Sequence, residues 1–389
     1  MTTFRKILFW THLVAGLIAG VIIFVMSFTG TIIAFEHEIV AWAERDARRV
    51  NPPSEADRLT LDQLSIAFSA AYPDKTPTAV SVSADPAAAV TFAIGRGEAY
   101  YLNPYNGEIR RPASTGMHDF MHTMVAWHRW LGREGDSRAA GKAITGASNT
   151  AFVVLAVTGL YLWWPRKWRF PALKRSLWFV RSAGAKARDW NWHNVFGFWL
   201  LIPIVVMSVT GMVISYRWAG NLIYTAVGEE PPVRRGRPGA RPGGNAGGGD
   251  RSERSVSTAT PIALEPVFVA AAADQPDWQS ISLRLPAPGR PAKTISAQVK
   301  VPGAWPRTAS TTLTVDPTNN TIAERSEFGD LSTGRRIRTW FRYLHTGQAL
   351  GWWGQLIAGI GCIGGCFLVY TGFALSWRRF FSRRSPDSP

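Results

Sequence analysis

The chain carries two related apolar stretches, HLVAGLIAGVIIFVMSFTG at residues 12–30 and HNVFGFWLLIPIVVMSVTG at residues 193–211. Each stretch begins with His, has Gly four positions later and ends in Thr-Gly. Two further apolar stretches end in the same dipeptide, at residues 158–159 and 371–372. Self-similarity at a fixed spacing is the signature of a repeated structural unit. The sequence therefore predicts an internal duplication, with two diverged copies of one helix–outer domain–helix unit.

Long runs without charged residues indicate a membrane protein. Asp, Glu, Lys and Arg are absent from residues 7–35, 143–165, 190–216 and 343–377. About 20 consecutive apolar residues are enough for a helix to cross the hydrocarbon core of a bilayer. All four runs are long enough, so we predict four membrane-spanning helices. Their predicted bounds are 5–36, 139–165, 191–217 and 346–378.

Basic residues are concentrated beside the predicted spans. The net charge is +16, and the segment Arg166–Arg188 alone holds eight Lys or Arg residues and no acid. Short loops rich in Lys and Arg stay in the cytoplasm. We therefore expect the loop 166–190 and both termini, including the tail 379–389, on the cytoplasmic side of a bacterial inner membrane. The positive charge is therefore explained by cytoplasmic segments next to the membrane lipid. We do not expect nucleic acid as a partner.

The two long segments between spans, residues 37–138 and 218–345, are predicted to lie in the periplasm. Each combines a helical period with alternating strands and a Pro/Asn/Gly hairpin. An insert at 231–257 is rich in Gly, Arg and Pro, and we interpret it as a flexible linker, with a basic binding tail as the alternative. The predicted fold class is a membrane all-α four-helix bundle with two small α+β outer domains. The predicted outer elements are helices at 61–72 and 262–273, strands at 79–83 and 280–285, and matching hairpins at 102–109 and 315–322.

Four of the seven histidines fall at equivalent positions of the two copies. His12 and His193 lie at the cytoplasmic ends of the first and third spans, whereas His128 and His345 precede the second and fourth spans on the outer side. A buried ionisable residue in a membrane marks a functional site by default, and imidazoles commonly ligate haem iron between facing helices. We therefore predict two haems, an inner one held by His12 and His193 and an outer one held by His128 and His345. The alternative is that all four are ordinary interfacial residues.

Glycines accompany the inner histidine pair along its predicted helices. Gly16 and Gly30 lie near the same helical face as the first histidine of this pair, and Gly197 and Gly211 repeat the pattern in the second copy. We interpret these four glycines as cofactor-binding positions, because a face without side chains leaves room for a flat macrocycle. Close packing between helices is the alternative explanation.

Two further histidines are secondary candidates. His122 lies close to His128 in sequence and is an alternative outer ligand, and His37 stands at the outer end of the first span. A solvated surface position is the alternative for both. The chain has no GxSxG, HExxH, Walker A or strand-linked GxGxxG motif, so no side chain is predicted to be catalytic. Cys-x-x-Cys-His is also absent, which excludes covalent c-type haem.

The sequence resembles the PepSY-associated transmembrane proteins, also called iron-regulated membrane proteins. The resemblance rests on HRWLG at 128–132, TGLYLWWPR at 158–166, Phe-x-x-Glu at 35–38 and the Asn-Pro-x-x-Gly hairpin at 103–107. It covers nearly the whole chain, which within this family is most similar to bacterial inner-membrane ferrisiderophore reductases, of which the ferrioxamine reductases are one type. It implies PepSY-like outer domains, b-type haems, cytoplasmic electron input and reduction of ferric siderophore in the periplasm. Asn320 at the second hairpin's Gly position departs from the family pattern and weakens a peptide-binding role for that domain.

The expected function is therefore that of a transmembrane di-haem b oxidoreductase, a ferrisiderophore reductase that releases Fe(II). Reduction weakens the hold of hard oxygen ligands on iron. The chain has no nucleotide-binding fold, so its electron donor is a quinol or a separate cytoplasmic reductase. Arg336, Arg338 and Arg342, beside the fourth span, are candidate substrate contacts. The alternatives are a quinol-linked cytochrome b serving another acceptor and a non-enzymatic, membrane-anchored protein that binds a peptidase or peptide.

The charge distribution makes the orientation testable. Alkaline phosphatase fused after Pro389 is expected to be inactive, because this enzyme folds only in the periplasm and the basic tail is predicted to stay in the cytoplasm. The same reporter inserted into the 231–257 segment is expected to be active and serves as the control. An active C-terminal fusion would reverse the predicted orientation.

Overall fold

The structure is a computed structural model that describes residues 3–54, 57–95, 98–111, 116–165, 169–181, 184–232, 262–286 and 293–381. The predicted linker 231–257 lies outside these ranges apart from its first two residues.

The α-helices are α1 (Thr3–Ile33), α2 (Glu36–Ala43), α3 (Arg45–Arg48), α4 (Leu61–Ala71), α5 (Gly116–Trp130), α6 (Arg138–Trp163), α7 (Phe170–Leu177), α8 (Ala185–Trp199), α9 (Leu201–Ser215), α10 (Arg217–Ala226), α11 (Leu264–Asp274), α12 (Thr333–His345) and α13 (Trp352–Phe381). The strands are β1 (Ala79–Ser83), β2 (Val90–Ile94), β3 (Glu98–Leu102), β4 (Ile109–Arg110), β5 (Ser280–Arg284), β6 (Ile295–Lys300), β7 (Thr311–Asp316) and β8 (Thr321–Ser326).

Three helices among the described residues, α1, α6 and α13, are long and apolar enough to cross a membrane. Helices α8 and α9 pass the same test only together, and a bend of 64° separates them. Pro203 explains this bend, because its nitrogen carries no hydrogen to donate to the carbonyl of Trp199 one turn earlier. The related stretch has Ile22 at this position, and α1 is continuous there. The protein is thus mostly helical, with three candidate spans, or four if the bent pair counts as one.

The apolar helices pack around one another. Helix α1 contacts α6 and α13, α8 contacts α13, and α9 contacts α6. Glycines permit the closest approaches: a Cβ at Gly364 would clash with Leu200 at the bend, and a Cβ at Gly146 would clash with the Tyr216 ring. We call the end at which α1 leads towards the strands the sheet end, and the opposite end, where α1 begins and α13 finishes, the terminal end.

The strands form one eight-stranded antiparallel sheet in the order β4-β3-β2-β1-β5-β6-β7-β8. The predicted helices and strands of both outer segments are present, but the expectation of two separate domains is corrected. Strands β1 and β5, one from each segment, pair directly, with Ser81 opposite Ser282 and their hydroxyls 2.8 Å apart. An unpaired edge strand exposes a row of backbone donors and acceptors. Pairing β1 with β5 removes one such edge from each half.

A single hydrophobic core lies on one face of this sheet. Helices α4 and α11 cover that face, and alternate strand residues point towards them, as the burial patterns of β1 and β5 show. Phe68 on α4 contacts the rings of Phe92 and Tyr100, with centroids 5.3 and 5.1 Å apart. Leu283 of β5 belongs to the same core and is fully buried. Because both segments contribute to one core, neither half of the sheet buries its apolar face alone.

The two matching hairpins keep the same turn geometry despite a difference in sequence. Gly107 between β3 and β4 has φ +73°, and Asn320 between β7 and β8 has φ +58°. Asn is one of the few residues other than Gly that adopt this left-handed region readily. The departure of Asn320 from the family pattern therefore leaves the hairpin intact.

Helices α4 and α11, one from each outer segment, cap each other's N-termini. Asp62 accepts hydrogen bonds from the backbone N–H groups of Leu264 and Glu265, at 2.6 and 3.3 Å. Glu265 in turn accepts a hydrogen bond of 2.6 Å from the N–H of Leu61. A carboxylate at a helix N-terminus satisfies unpaired donors and interacts favourably with the helix dipole. These bonds therefore tie the two halves of the sheet domain together.

Removing this reciprocal capping is expected to loosen the β1–β5 junction. Asp62→Ala and Glu265→Ala should each lower the free energy of unfolding by about 1 kcal/mol, and the double variant should lower it by about 2 kcal/mol. Hydrogen exchange followed by mass spectrometry should show exchange in the β1 and β5 peptides of the double variant faster by at least about tenfold. Asp74→Ala, at an exposed position just beyond α4, is the control. Unchanged protection of both strands in the double variant would show that the capping is not what holds the halves together.

Candidate functional site

The four histidines singled out in the sequence form two pairs in the structure. At the terminal end, His12 of α1 and His193 of α8 have ring centroids 6.3 Å apart and ring planes inclined by 82°. Towards the sheet end, His128 of α5 and His345 of α12 also have ring centroids 6.3 Å apart, with planes inclined by 56°. The structure therefore brings together the residues that the duplication pairs.

In the terminal pair, each imidazole is held through its Nδ1 atom by a threonine. His12 Nδ1 lies 2.9 Å from Thr158 Oγ1, and His193 Nδ1 lies 2.9 Å from Thr371 Oγ1. The Thr158 hydroxyl donates its own hydrogen to the carbonyl of Val154 at 2.7 Å. It can therefore only accept from the histidine, which assigns the ring hydrogen to Nδ1. Thr371 repeats this arrangement, so both rings keep an Nε2 with a free lone pair.

In the sheet-end pair, backbone carbonyls fix the same tautomer, with the ring hydrogen on Nδ1. His128 Nδ1 lies 2.9 Å from the carbonyl oxygen of Met26, and His345 Nδ1 lies 2.9 Å from that of Met207. A carbonyl oxygen only accepts hydrogen bonds, so each Nδ1 is the donor. All four rings therefore present Nε2, the nitrogen that metal-binding histidines leave free when Nδ1–H is engaged by the protein.

Each ring also lies against the glycine of a Thr-Gly dipeptide. A Cβ at Gly159 would lie 3.2 Å from His12 Cε1, and one at Gly372 would lie 3.7 Å from His193 Cε1. At the sheet end, the corresponding distances are 3.3 Å from Gly30 to His128 and 3.1 Å from Gly211 to His345. Any side chain at the three closest positions would press on the imidazole. The Thr-Gly repeat is thus a cradle for a histidine ring.

The geometry shows which histidine rings two of the glycines contact. Gly30 and Gly211 share a helical face with His12 and His193, and the structure places them against the rings of the sheet-end pair. Helical periodicity shows that residues share a face but does not show which neighbour covers each part of it. Gly16 and Gly197, in contrast, line a cavity together with the terminal pair.

That cavity, of about 1350 Å³, opens among α1, α6, α8 and α13. Its walls are largely apolar, and basic residues occur among its lining. Arg378 pairs with the buried carboxylate of Asp189, and Arg5 donates to the carbonyl of Leu162 at 2.6 Å. Within the described part of the chain, Lys186 makes no ion pair. The basic lining residues are Arg5, Arg175, Lys186, Arg378 and Arg379.

The secondary candidates lie apart from both pairs. His122 is exposed on α5, and the position opposite His345 is taken by His128. His37 is exposed on α2, and its described contacts do not include any of the four paired rings.

A buried carboxylate lies near the start of α5. The Oε2 atom of Glu44 accepts hydrogen bonds from Arg48 and from the Tyr101 hydroxyl, and its Oε1 atom lies 2.6 Å from His118 Nε2 in an ion-pair contact. Burial and the bond to Glu44 raise the pKa of Tyr101, so this phenol remains a donor. The cluster anchors α5, the helix that carries His128.

Sequence reasoning missed the residues that orient the rings. Thr158 and Thr371 were noticed only as marks of the repeat, although their constant position beside a glycine was the available signal. The carbonyls of Met26 and Met207 carry no side-chain signal, because a backbone acceptor is present at every residue. Only the packing of α5 and α12 against α1 and α9 reveals them.

Comparison with known proteins places this chain in a family. The sequence pattern of the PepSY-associated TM region matches residues 9–379, nearly the whole chain, and the protein belongs to that family. Together with the apolar helices, this membership identifies a membrane protein. No curated protein matches the sequence.

Proposed function

We propose that this protein is a transmembrane di-haem b oxidoreductase that carries electrons across the bacterial inner membrane to a ferric siderophore. The observation that carries the proposal is the matched geometry of the two histidine pairs. Each pair has ring centroids 6.3 Å apart, and each ring has its Nδ1 engaged by the protein.

The spacing of the rings fits one metal ion per pair. A metal–imidazole bond is about 2.0 Å and the ring centre lies about 1.1 Å beyond the nitrogen, so two imidazoles on opposite sides of one metal ion would have centroids roughly 6.2 Å apart. Both pairs match this value closely. The described residues contain no group of three or more His, Cys, Asp or Glu side chains that could hold a metal ion. A metal at either pair therefore takes its remaining ligands from a bound group, which suits haem with its ring of nitrogens.

The surroundings of the terminal pair also suit haem. The cavity beside His12 and His193 is apolar and has room for a macrocycle. Lys186 and Arg175 among its lining would pair with the carboxylates of the cofactor. The sheet-end pair offers the same donor set, cradled by Gly30 and Gly211.

The proposal includes the internal duplication and a four-helix bundle. In it, the bent pair α8–α9 is one span equivalent to α1, and a pseudo-twofold axis along the membrane normal relates the copies. The recurrence of contacts supports this: Thr158 and Thr371 hold the terminal rings in the same way, and the Met26 and Met207 carbonyls hold the others.

In the proposed orientation, the terminal end faces the cytoplasm and the sheet lies in the periplasm. Bound haems supply one-electron centres near the two membrane faces. The chain itself fixes the tautomer and direction of each imidazole, excludes side chains from the ring faces and provides basic groups at the cytoplasmic mouth. A quinol or a separate reductase is the donor, and ferric siderophore is the acceptor. A peptide-binding anchor is the weaker alternative, because it leaves two matched histidine pairs without a role.

Histidine substitutions separate the two proposed sites. His193→Ala should lower haem content from two to about one per chain, and the remaining haem should still be oxidised by ferric siderophore. His345→Ala should also leave one haem, which is reduced from the cytoplasmic side but does not reduce the acceptor. His122→Ala, at an exposed position on α5, is the matched control and should keep both. Two haems with unchanged spectra in His193→Ala would refute the pairing at the terminal end.

Threonine substitution tests the orienting hydrogen bond. Thr371→Val preserves the volume but removes the hydroxyl to which the Nδ1–H of His193 donates, which should weaken haem binding by about 10- to 100-fold. Thr371→Ser should restore binding. The rate of haem transfer to an excess of a haem-free globin is the measurement, and Thr123→Val, where the hydroxyl only meets the Asp119 carbonyl, is the control. Equal transfer rates for Thr371→Val and the control would rule out this role for the hydroxyl.

A further inference from the structure

Three arginines gather beside the sheet-end histidine pair. Arg129 directly follows His128 on α5, and Arg342 lies one turn before His345 on α12. The close approach of the two imidazoles brings these helices together. Arg138 begins α6, immediately after the turn that follows α5.

Trp130 links two of these arginines. The Cζ atoms of Arg129 and Arg138 lie 4.6 and 4.2 Å from the centroid of its indole ring. Each guanidinium is thus held over an aromatic face. The arrangement presents two planar cations around one flat apolar ring. We call Arg129, Arg138, Arg342 and Trp130 the arginine cluster.

The positive charge of the arginine cluster is not balanced locally. Among the described residues, none of its guanidinium groups lies within 4.0 Å of a carboxylate. Glu134 and Asp136, in the turn between α5 and α6, are exposed and form no ion pair with it. Arg138 and Arg342 are the charged groups that face Arg129. Like charges held together without a counterion repel one another, and a bound anion relieves that repulsion.

We propose that the arginine cluster is the docking site for the electron acceptor and that the acceptor is an anionic ferric chelate with carboxylate ligands. This inference rests on the proposed function, which places the outgoing electron at the adjacent histidine pair. Planar guanidinium groups bind carboxylates through two parallel hydrogen bonds, and the Trp130 ring holds two of them in place. A haem held by His128 and His345 would supply the one electron that converts the chelated Fe(III) to Fe(II), and its own iron would lose that electron.

The same charge disfavours other acceptors. A positively charged chelate, such as a trihydroxamate with a free ammonium group, is repelled by three uncompensated guanidinium groups. Among ferric siderophores, the arginine cluster is therefore expected to bind negatively charged complexes that carry carboxylates.

Gallium(III) complexes allow binding to be measured without electron transfer, because haem does not reduce Ga(III). Full-length protein in detergent is dialysed to equilibrium against gallium citrate or against a cationic gallium trihydroxamate. Wild-type protein should bind the citrate complex preferentially, and added salt should weaken this binding. Arg129→Gln and Arg342→Gln should each weaken it by about tenfold or more, since a charge-assisted hydrogen bond is lost. Arg335→Gln, also exposed on α12, is the matched control and should change binding by less than about twofold.

Three results would overturn the inference: equal binding of both complexes, equal weakening by the Arg335→Gln control, or weakening that disappears once the variants are brought to full haem content. The last result would assign the cluster to the carboxylates of the cofactor. Haem content of every sample is therefore measured alongside binding. Protein that binds gallium citrate through Arg129 and Arg342 but contains no haem would support the docking site and refute the proposed electron transfer.

Discussion

The hydrogen bond at the Nδ1 atom of each paired histidine is the interaction on which the account depends. It fixes which ring nitrogen carries the hydrogen, and it sets the direction of the ring inside an apolar surrounding. Thr158 and Thr371 provide the acceptor at the terminal end because their own hydrogens are committed to the preceding turn. Without these hydroxyls, each of the two partly buried imidazoles would lose a hydrogen-bond acceptor, at a cost of about 1 kcal/mol.

Different parts of the fold position the histidine rings at the two ends of the apolar helices. At the terminal end, His12, Thr158 and Thr371 come from the long apolar helices α1, α6 and α13, and His193 comes from α8, which packs on α13, so the packing of these four helices positions the pair. At the sheet end, His128 and His345 come from α5 and α12, which follow the outer segments in the chain. Helix α5 packs on α1 and α6, and α12 packs on α9 and α10, so these contacts, together with the Glu44 cluster at the start of α5, position the second pair.

The sequence predicts much of this arrangement, and particular residues show where prediction stops. The Thr-Gly spacing and the charge-free runs indicate the repeat and the apolar helices, and the four histidines follow from their equivalent positions. The charge-free run predicts one span over 191–217, and the 64° bend within it follows from Pro203, a local signal that this prediction did not use. Gly364 leaves the space that Leu200 occupies at the bend. The β1–β5 pairing joins residues about 200 positions apart, and no local pattern specifies it. The periodicity places Gly30 on the same helical face as His12, but it does not show that α5 covers Gly30, because α5 lies far from it in sequence.

Haem stoichiometry with a visible spectrum tests the central claim most directly. Full-length protein, purified from cells supplied with haem, should contain two b-type haems per chain, and both should show the spectrum of iron with two imidazole ligands. That result requires the two histidine pairs to act as the structure arranges them. Protein without a Soret band, or with haem that survives alanine substitution of all four paired histidines, would contradict the account.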